Sequence, residues 1–353
     1  MTAIPVILIV NPGSTSTKIA YSNGSRIIER ETICHSSEEL KRFSTIWDQF
    51  EFRLELCRRW AQEKVKQCSA VVSPGGLLRS LPGGTYKVND AMLRDARANV
   101  QGEHVSNTGC ALASALAREY DCEAFIVDAV SVDEFELLAY YSGHPAIKRR
   151  SLSHALSIHA AARKASREVQ KKLDETSFVI GHLGGGISIA PVRGGRIIDV
   201  NDAASDGPFS AERSGGLPLQ QVISLCFSGK YSERELRKMV MGNGGMVAYL
   251  GTNSLEEVER RVLSGDTTAE KVFQAMAYQI AKEIGAMATV LHGSVDAIVL
   301  TGGAARSALL TGWIEKRVRS IARVIVFPDD DELQALADGA FAVLQGKEKV
   351  KEY

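Results

Sequence analysis

The sequence has few cysteines, and none of them is spaced for a disulfide framework or a zinc site. Its six cysteines are spread over 353 residues without a CxxC pair. They lie in apolar or amphipathic surroundings, so we expect free thiols that are mostly buried, as suits a reducing compartment. The segment 1–10 has no basic start and no cleavage site, and it is too short for a membrane-spanning helix. We therefore expect a cytoplasmic protein.

The sequence also lacks an excess of charge of either sign. Its 42 basic residues balance 42 acidic ones, and the isoelectric point is near 7.1. A nucleic-acid or anionic-membrane partner normally demands a basic excess, so we expect neither, whereas small anions remain candidates. A chain of 353 residues exceeds the usual size of a single core, which predicts two domains.

One arrangement of strands and turns occurs twice along the chain. Each copy reads strand, small polar or glycine-rich loop, strand, tight turn, strand. The first copy has strands at 5–10, 17–21 and 26–31, and the second has strands at 177–181, 187–192 and 197–200. Since each copy opens about half of the chain, the repeat predicts a duplicated two-domain fold with a cleft between the halves. The alternative is a chance likeness of two β-meanders.

The remaining segments alternate strand and helix patterns, as in an α/β protein. Further strands are predicted at 68–72, 124–130, 295–300 and 324–327. Helices are predicted at 47–66, 90–98, 108–120, 153–173, 232–241, 254–264, 268–291, 307–322 and 333–344. The resulting parts are a first domain (1–152, joined by a C-terminal helix at about 330–346), a linking helix (153–176) and a second domain (177–329).

No P-loop is present, because the pattern GxxxxGK[ST] does not occur. Instead, glycine-containing loops follow predicted strands at three places, 11–16, 183–186 and 301–304. A backbone without Cβ atoms lets N–H groups approach an anion such as a phosphate. None of the loops is a persuasive dinucleotide fingerprint, because the first two lead into strands rather than helices. One such loop is as easily a structural turn, but three together favour a nucleotide site.

Four longer motifs surround these loops, and together they resemble a known family. They are VNPGSTSTK (Val10–Lys18), HLGGGISIAP (His182–Pro191), DGPFSAERSGGLP (Asp206–Pro218) and LTGGAA (Leu300–Ala305). The chain is similar to the butyrate kinases, relatives of acetate kinase in the superfamily of acetate and sugar kinases, heat-shock chaperones and actin. The resemblance runs from Val6 to about Gln345. It implies duplicated ribonuclease H-like (actin-like ATPase) domains with a nucleotide cleft between them.

The resemblance implies a reaction that uses ATP and Mg²⁺ to phosphorylate the carboxylate of a short-chain fatty acid. Butanoate is the first choice, and it would give butanoyl phosphate and ADP in a reversible reaction. A carboxylic acid with a pKa of about 4–5 is already ionised at neutral pH, so no general base is needed. Catalysis must then rest on positioning, fixed cations and the metal ion.

The same resemblance assigns roles to individual residues. The catalytic set comprises Arg213, His154, His182 and Asn11. The nucleotide-binding set comprises Ser14, Ser16, Lys18, Gly184, Gly185, Gly186, Gly302 and Gly303. The resemblance places His104 and Asn107 beside the acyl group and makes Asp128 and Glu332 the metal ligands. Arg79 is added as a candidate substrate-binding residue because it lies close to this segment in the sequence.

One of these residues has a physical argument of its own, and several have a simpler alternative. Asp128 follows a buried apolar run, where a carboxylate is costly unless it is paired, hydrogen-bonded or metal-bound. Arg213 could be a surface ion pair, and lone histidines are more often structural. Glu332 could simply complement a helix dipole, and Asp331 is the nearest competing ligand.

Two positions depart from the family pattern. Gly185 stands where acetate kinase has an asparagine, which removes one polar contact but agrees with the butyrate kinases. Pro74 stands beside the glycines of VVSPGGLL, where related kinases have a basic residue that receives the substrate carboxylate. Arg79 is the nearest substitute for that cation.

Other functions remain open on the sequence. The acid could instead be propionate, isobutyrate or another short-chain acid, because one methylene changes binding by only about 1–3 kcal/mol. A sugar kinase would need an aspartate general base, and an ATP-gated binding protein or chaperone would need an appended domain. Neither feature is evident. The resemblance also implies a homodimer or a larger homo-oligomer.

Overall fold

The structure is a computed structural model that describes residues 4–328 and 331–353, apart from the side chain of Ser37. The described residues fall into two units. The first contains the residues up to 133 together with 331–353, and the second contains residues 134–328. Each unit has a β-sheet covered by helices, so the α/β class predicted from the sequence is confirmed.

The elements of the described chain are as follows. The strands are β1 (Val6–Pro12), β2 (Ser16–Asn23), β3 (Arg26–Cys34), β4 (Ala70–Pro74), β5 (Thr85–Lys87), β6 (Glu123–Val127), β7 (Ser177–Leu183), β8 (Ile187–Arg193), β9 (Arg196–Ile197), β10 (Ala297–Thr301) and β11 (Val324–Phe327). The α-helices are α1 (Ser37–Leu40), α2 (Phe50–Lys64), α3 (Asp90–Arg97), α4 (Gly109–Glu119), α5 (Ala155–Glu168), α6 (Leu219–Cys226), α7 (Glu233–Val240), α8 (Gly245–Leu250), α9 (Leu255–Leu263), α10 (Thr267–Val290), α11 (Ala308–Val318) and α12 (Glu332–Leu344). Short 3₁₀ segments lie at Trp47–Gln49, Val105–Thr108, Leu137–Tyr140, Leu173–Glu175 and Gly303–Arg306.

The sheet of the first unit has six strands in the order β3-β2-β1-β4-β6-β5. β1 pairs antiparallel with β2, and β2 with β3, through the turn that Asn23-Gly24 predicts. β4 and β6 continue the sheet parallel to β1. The apolar runs of these three strands are buried because helices pack on the sheet.

Different helices cover the first sheet. Leu54 and Trp60 of α2 and Leu116 of α4 pack with Leu8 of β1 in one apolar cluster. α12 packs against β1, β4 and β6. It lies close to β6 because Gly339 has no side chain, since a Cβ there would lie 2.7 Å from Cγ1 of Val127.

The sheet of the second unit has five strands in the order β11-β10-β7-β8-β9. The long helix α10 fills the core of this unit with an apolar stripe that includes Phe273, Met276, Ile280 and Ile284. This spacing of three and four residues places the side chains on one helix face. α5 packs against β7 and β10 of the same sheet.

The two sheets share one topology. Read from the hairpin edge, β3-β2-β1-β4-β6 corresponds to β9-β8-β7-β10-β11. In each, a three-stranded antiparallel meander is followed by two parallel strands. The duplication predicted from the sequence is therefore confirmed. It places two of the glycine-containing loops at equivalent positions, the β1–β2 and β7–β8 hairpin tips.

The division of the chain differs from the predicted domain boundaries of 152 and 176. The units separate at 133/134, because the segment after 133 bonds to the second sheet region. The backbone N–H of Glu136 donates to Ile198 O at 3.0 Å, and Arg149 Nη2 lies 2.7 Å from Asp199 Oδ1. α5, the predicted linking helix, lies within the second unit. Residues 329 and 330, where the sequence placed the other junction, lie outside the described residues.

Some elements also differ from the predictions in length or existence. β6 ends at Val127 instead of continuing to 130, because Asp128 takes a left-handed backbone conformation with φ 43°. β9 has two residues instead of four. The three-residue strand β5 and the helices α1, α6 and α8 were not predicted. β5 is only three residues long, whereas α6 has apolar residues at helical spacing (Leu219, Val222, Ile223 and Cys226) of which none is buried.

The six cysteines are free thiols. Cys57 and Cys110 are buried as expected, whereas Cys34 and Cys226 are exposed, so the prediction of burial is wrong for the latter two. Cys34 ends the edge strand β3, and Cys226 ends the exposed helix α6. Across residues 4–328 and 331–353, no helix is long and apolar enough to cross a bilayer.

Candidate active site

In the second unit, the β7–β8 hairpin ends in a tight glycine tip. Leu183 pairs with Ile187, and the N–H of Gly184 donates to Gly186 O at 3.1 Å, which closes the turn. A Cβ on Gly186 would lie 2.4 Å from Nη1 of Arg213. The absence of a side chain at this position therefore lets the arginine lie directly against the loop.

Arg213 is held against this loop by a second turn. Ser210 Oγ donates to Gly185 O at 2.6 Å and accepts from the Arg213 N–H at 3.2 Å. The Nη1 group of Arg213 donates to Ala203 O at 3.2 Å, while its Nε is buried without a hydrogen-bond partner. A fixed guanidinium with an unused donor is suited to an incoming anion.

The electrostatic surroundings of Arg213 are those of a partly desolvated cation. Burial lowers the pKa of Arg213, and the carboxylates of Glu212 and Asp202 oppose this effect. An arginine remains charged despite such a shift, because its ordinary pKa is above 12. The sequence left open that Arg213 forms an ion pair at the surface. No ion pair to Arg213 occurs among the described residues, so this alternative does not apply.

The two predicted catalytic histidines lie next to each other. The rings of His154 and His182 stack with centroids 4.0 Å apart and an interplanar angle of 19°. Nδ1 of His154 lies 2.9 Å from Oγ of Ser188, which pairs with His182 across the β7–β8 hairpin. His182 in turn contacts the glycine tip, since a Cβ on Gly184 would lie 2.9 Å from its Nε2.

The third glycine loop of the sequence joins the same group of residues. β10 lies beside β7, and Thr301 pairs with His182. Gly302 follows with φ 90°, and a Cβ there would lie 2.5 Å from Leu183 O. Open space surrounds Gly303, where a Cβ would meet no atom within 4 Å. The second unit thus brings together its predicted catalytic and nucleotide-binding residues at the carboxyl ends of β7 and β10.

The first unit presents the other predicted phosphate loop at the β1–β2 tip. The N–H of Gly13 donates to Ser16 O at 2.8 Å, and Ser14 is exposed. Behind the tip, Asn11 Nδ2 donates to Glu332 Oε2 at 2.8 Å. Lys18 Nζ lies 3.2 Å from the same oxygen. Asn11, Lys18 and the start of α12 therefore form one polar cluster.

Asp331 and Glu332, the two candidate metal ligands at the start of α12, have different partners in the structure. Asp331 caps the helix by accepting from the N–H of Gln334 at 3.1 Å, and it pairs with Arg30 at 3.1 Å. Glu332 instead faces Asn11 and Lys18. Asp331 is therefore occupied by the helix end, whereas Glu332 belongs to the polar cluster.

Asp128 is buried, with 4% of its surface exposed. Its Oδ1 accepts from the Gly84 N–H at 2.7 Å, and its own N–H donates to Gly84 O at 3.0 Å. The hydrogen bond from Gly84 thus offsets part of the desolvation free energy of the buried Asp128 carboxylate. No group of three or more His, Cys, Asp or Glu side chains in the described chain is arranged to hold a metal ion. The role of Asp128 and Glu332 as ligands of Mg²⁺ stays a prediction.

Asn107 supports the segment that follows β4. It is fully buried, and its Oδ1 accepts from the Leu77 N–H at 2.7 Å. Its Nδ2 donates to Asn99 Oδ1 and to Gly102 O, each at 2.9 Å. Gly76 lies so close that a Cβ would be 2.5 Å from the Cα of Asn107. The amide of Asn107 is thus fully occupied in shaping this loop.

His104 and Arg79 lie in the same unit and are more accessible. His104 is exposed, and its Nδ1 accepts from the Ser106 N–H at 3.2 Å. Arg79 forms two bonds to Asp95, Nε to Oδ2 at 2.8 Å and Nη2 to Oδ1 at 3.0 Å. Tyr353 also donates to Asp95 at 2.8 Å. The role of Arg79 as an anchor for a substrate carboxylate stays a prediction, and it requires exchange of this ion pair.

Sequence reasoning did not identify Ser210 or Asp206, although both belong to the DGPFSAERSGGLP motif. Burial and the neighbouring Asp202 raise the pKa of Asp206 to about 6. One of its oxygens is buried without a hydrogen-bond partner. The motif itself was the available signal, but the contact of Ser210 with Gly185 spans 25 residues and is not visible in the sequence.

Comparison with known proteins identifies close relatives over nearly the whole chain. Residues 137–343 match the model of the acetokinase family. The probable butyrate kinase of Listeria innocua is 49% identical over 351 residues, which cover 98% of this chain and 99% of that protein. Butyrate kinase 2 of Clostridium acetobutylicum is 46% identical over 351 residues, with coverage of 98% and 99%.

Solved structures share the fold at much lower identity. Porphyromonas gingivalis acetate kinase matches with a TM-score of 0.73 at 16% identity, over 95% of this chain and 99% of that one. A propionate kinase from Francisella tularensis matches with the same TM-score, identity and coverage. The similarity to these solved structures shows a shared fold. Family membership is shown by the family model and by the relatives that match nearly the whole chain. The chain therefore belongs to the acetokinase family.

Proposed function

We propose that this protein transfers the terminal phosphoryl group of ATP to the carboxylate of a short-chain fatty acid, with butanoate as the preferred acid. The observation that carries the proposal is the arrangement in the second unit, where Arg213 and two histidines lie against a glycine hairpin tip. Relatives named butyrate kinase at 46–49% identity support the choice of acid.

The proposed reaction needs cations and positioning rather than a base. An oxygen of the ionised carboxylate forms a bond to the terminal phosphorus of ATP, and the bond from that phosphorus to the bridging oxygen breaks. The products are an acyl phosphate and ADP, and the same site serves the reverse reaction. Arg213 would stabilise the charge on the transferring group with its Nε–H, a donor that has no hydrogen-bond partner among the described residues.

The two histidines would assist by donating hydrogen bonds to the same group. Ser188 fixes the orientation of the His154 ring, and stacking fixes the ring of His182 relative to it. Gly184, Gly185 and Gly186 would let backbone N–H groups approach the phosphates. Gly302 and Gly303 would border the adenosine, where the open space beside Gly303 leaves room for a ring.

The residues of the first unit would bind phosphate, metal and acid. Ser14, Ser16 and Lys18 would contact phosphate at the β1–β2 tip, and Asn11 would assist. Mg²⁺ would enter with ATP and neutralise phosphate charge, with Asp128 and Glu332 as the carboxylates that hold it. We place the acyl group near His104 and Asn107, with Arg79 as the candidate partner of the carboxylate.

We also propose that the protein acts as a homodimer or larger homo-oligomer in the cytoplasm. Large apolar side chains are exposed on the second unit, among them Leu219 (74% exposed) and Phe227 (86%). Such surfaces are uncommon on monomers and favour association. The free cysteines and the use of ATP are consistent with a reducing, ATP-containing compartment.

Hydroxylamine trapping tests the proposed function directly, because acyl phosphates convert to coloured hydroxamates. Purified protein with ATP and Mg²⁺ is given acetate, propionate, butanoate, isobutyrate or valerate. We expect hydroxamate with a clear optimum at butanoate. An optimum at another acid would support the carboxylate kinase reaction but replace butanoate as the preferred substrate. No hydroxamate from any acid, in protein that still binds ATP, would contradict the proposal, and sugar-dependent ADP formation would then indicate a sugar kinase.

A further inference from the structure

Arg53 of α2 is the largest fully buried side chain in the described chain, with no exposed surface. Its hydrogen bonds all go to neutral acceptors. Nε and Nη2 donate to Oε1 of Gln49 at 3.1 and 2.9 Å. Nη1 donates to Ser16 O at 3.1 Å and to Thr17 Oγ1 at 2.9 Å. No carboxylate of residues 4–328 or 331–353 forms an ion pair with it.

A buried cation without a counter-charge is unfavourable for folding. Desolvation of a charge costs several kcal/mol, and replacing buried charged groups by apolar ones of similar volume is often neutral or stabilising. Burial lowers the pKa of Arg53, but an arginine does not lose its proton in a protein. The free energy needed to desolvate the Arg53 guanidinium is therefore not offset by an ion pair with any acidic side chain of the described chain.

The neighbouring histidine does not balance or share this charge. Nε2 of His35 lies 2.9 Å from Thr17 Oγ1. That hydroxyl accepts from Arg53, and its own proton can go to Nε2 of a neutral His35, whose hydrogen is then on Nδ1. Burial and the nearby charge of Arg53 both lower the pKa of His35, in agreement with this assignment. The positive charge stays on Arg53.

The position of Arg53 connects it to the β1–β2 tip. The carbonyl of Ser16 accepts from Arg53 and also from the N–H of Gly13, so the arginine secures the base of the loop. Residues 14 and 15 at the tip are exposed. Lys18 and Glu332 form a balanced pair on the opposite face, because adjacent residues of a strand point to opposite sides. The unbalanced charge thus lies behind the tip.

We propose that Arg53 is a positioning residue for nucleotide phosphate: it clamps the backbone of residues 13–17, and its counter-charge is the oligophosphate of ATP or ADP at this tip. The inference rests on the proposed function, in that the β1–β2 tip is taken as a phosphate loop. It concerns binding rather than chemistry, so it can be tested without turnover. Arg53 would attract phosphate through the field of its charge while touching only the protein.

The sharpest test is Gln49→Glu, which places a carboxylate of nearly the same shape on the acceptor that Arg53 already uses. A charge partner should leave the unfolding temperature unchanged or raise it. The new carboxylate should also cancel the positive electrostatic field of Arg53 at the β1–β2 tip. We expect ATP and ADP to bind roughly tenfold more weakly, which is the effect of removing one charge in a partly shielded site. Adenosine affinity should stay within about twofold. Gln62→Glu, an exposed position of the same helix, is the matched control for net charge.

Calorimetric titration with ATP, ADP and adenosine measures these affinities, and a thermal scan without ligand measures stability. Arg53→Lys should keep most of the affinity, whereas Arg53→Gln should lose at least as much as Gln49→Glu. If Gln49→Glu binds ATP and ADP as tightly as the wild type, Arg53 is purely structural. Wild-type protein without affinity for ATP or ADP would also overturn the inference. Wild-type protein that binds ATP but yields no hydroxamate would refute only the proposed reaction.

Discussion

Arg213 combines a fixed position with a donor that has no hydrogen-bond partner in the part of the chain that the structure describes. Gly186 and Ala203 hold the guanidinium, and Ser210 ties its backbone to the glycine tip. A group fixed in this way does not need to reorganise when charge develops on a transferring phosphoryl group. The side chain is therefore the strongest single candidate for transition-state stabilisation in this structure.

We expect Arg213→Ala to reduce kcat by about 10²–10³-fold, the usual loss when a preorganised donor is removed. The unfolding temperature should change little, because the arginine makes one hydrogen bond through its side chain. Hydroxamate formation and a thermal scan measure the two quantities. Arg213→Lys should also be poor, since an ammonium group cannot reproduce the planar fork. Near wild-type turnover in folded Arg213→Ala protein would remove this residue from the mechanism.

Asp206 should make stability depend on pH. Its pKa is raised from 3.8 to about 6, so between these values the folded state holds a proton that the unfolded state has lost. Stability therefore decreases as pH rises from about 4 to 6, and the cost of the buried charge is fully present above that range. Asp206→Asn should unfold at a higher temperature than the wild type at pH 8, with the difference vanishing near pH 4. An equal difference at both pH values would contradict this assignment.

Asp128→Asn should raise the Mg²⁺ concentration needed for half-maximal activity. The substitution removes the negative charge but keeps an oxygen that can accept from Gly84 N–H, so the backbone bond at 2.7 Å can persist. Mg²⁺ titrations at fixed ATP, with the acid in excess, provide the measurement. An unchanged metal dependence together with a lower unfolding temperature would assign Asp128 to structure alone.

Among the elements, the β7–β8 hairpin contacts a turn that is remote in the sequence. The contact is possible because Gly186, at the hairpin tip, has no side chain and leaves room for Arg213. The hairpin is local in sequence, because a short glycine tip joins β7 directly to β8 and pairs Leu183 with Ile187. The approach of Arg213 to its tip is not local. It depends on the turn at Ser210, which lies 25 residues from Gly185.

We expect Gly186→Ala to displace Arg213, because the new Cβ would lie 2.4 Å from Nη1 and 2.8 Å from Cζ. The arginine can move, so the predicted result is a decrease of at least tenfold in kcat with a small change in unfolding temperature. Gly312→Ala, in α11, is the control, since nothing lies within 4 Å of its Cβ and alanine favours helix. Equal turnover in both variants would show that the contact is irrelevant to catalysis.

Over the chain as a whole, the exposed apolar surface of the second unit is the feature that a single copy does not explain. α6 has no buried residue, and with α7 and α8 it borders a cavity of about 1260 Å³. Leu219, Phe227 and Tyr249 are each more than two-thirds exposed, at 74%, 86% and 69%. Exposure of such side chains to water is unfavourable unless another surface covers them.

Light scattering coupled to size exclusion should show a dimer or larger species for the wild type. We expect Phe227→Asp to shift the equilibrium toward smaller species, because a charge cannot be buried there without a partner. Val100→Asp, which also adds a charge at an exposed apolar residue but in the first unit, is the control. A monomeric wild-type protein at micromolar concentration would contradict self-association, and an unchanged Phe227→Asp oligomer would place the interface elsewhere.

Most strands and helices were predictable because their signals are local. The alternation around Asn23-Gly24, the stripe of α10 and the apolar run of β10 depend on neighbours within a few residues. The end of β6 was not predictable, because Asp128 leaves the strand to exchange hydrogen bonds with Gly84, 44 residues away. The burial of Cys34 and Cys226 was mispredicted for the same reason, since whether a strand or helix lies at an edge depends on the packing of other elements.

The amino-acid sequence by itself determined the α/β class, the repeated meander and the glycine tips, because periodicity and turn chemistry act over short distances. Its motifs also named Arg213, His154 and His182 as candidates. Only the tertiary structure decided that the two histidine rings stack, that Gly186 admits Arg213, and that Arg53 is buried without an ion pair to any described carboxylate. Each of these depends on groups far apart in the chain, whose distances, desolvation and charge balance exist only once the sheets and helices have packed.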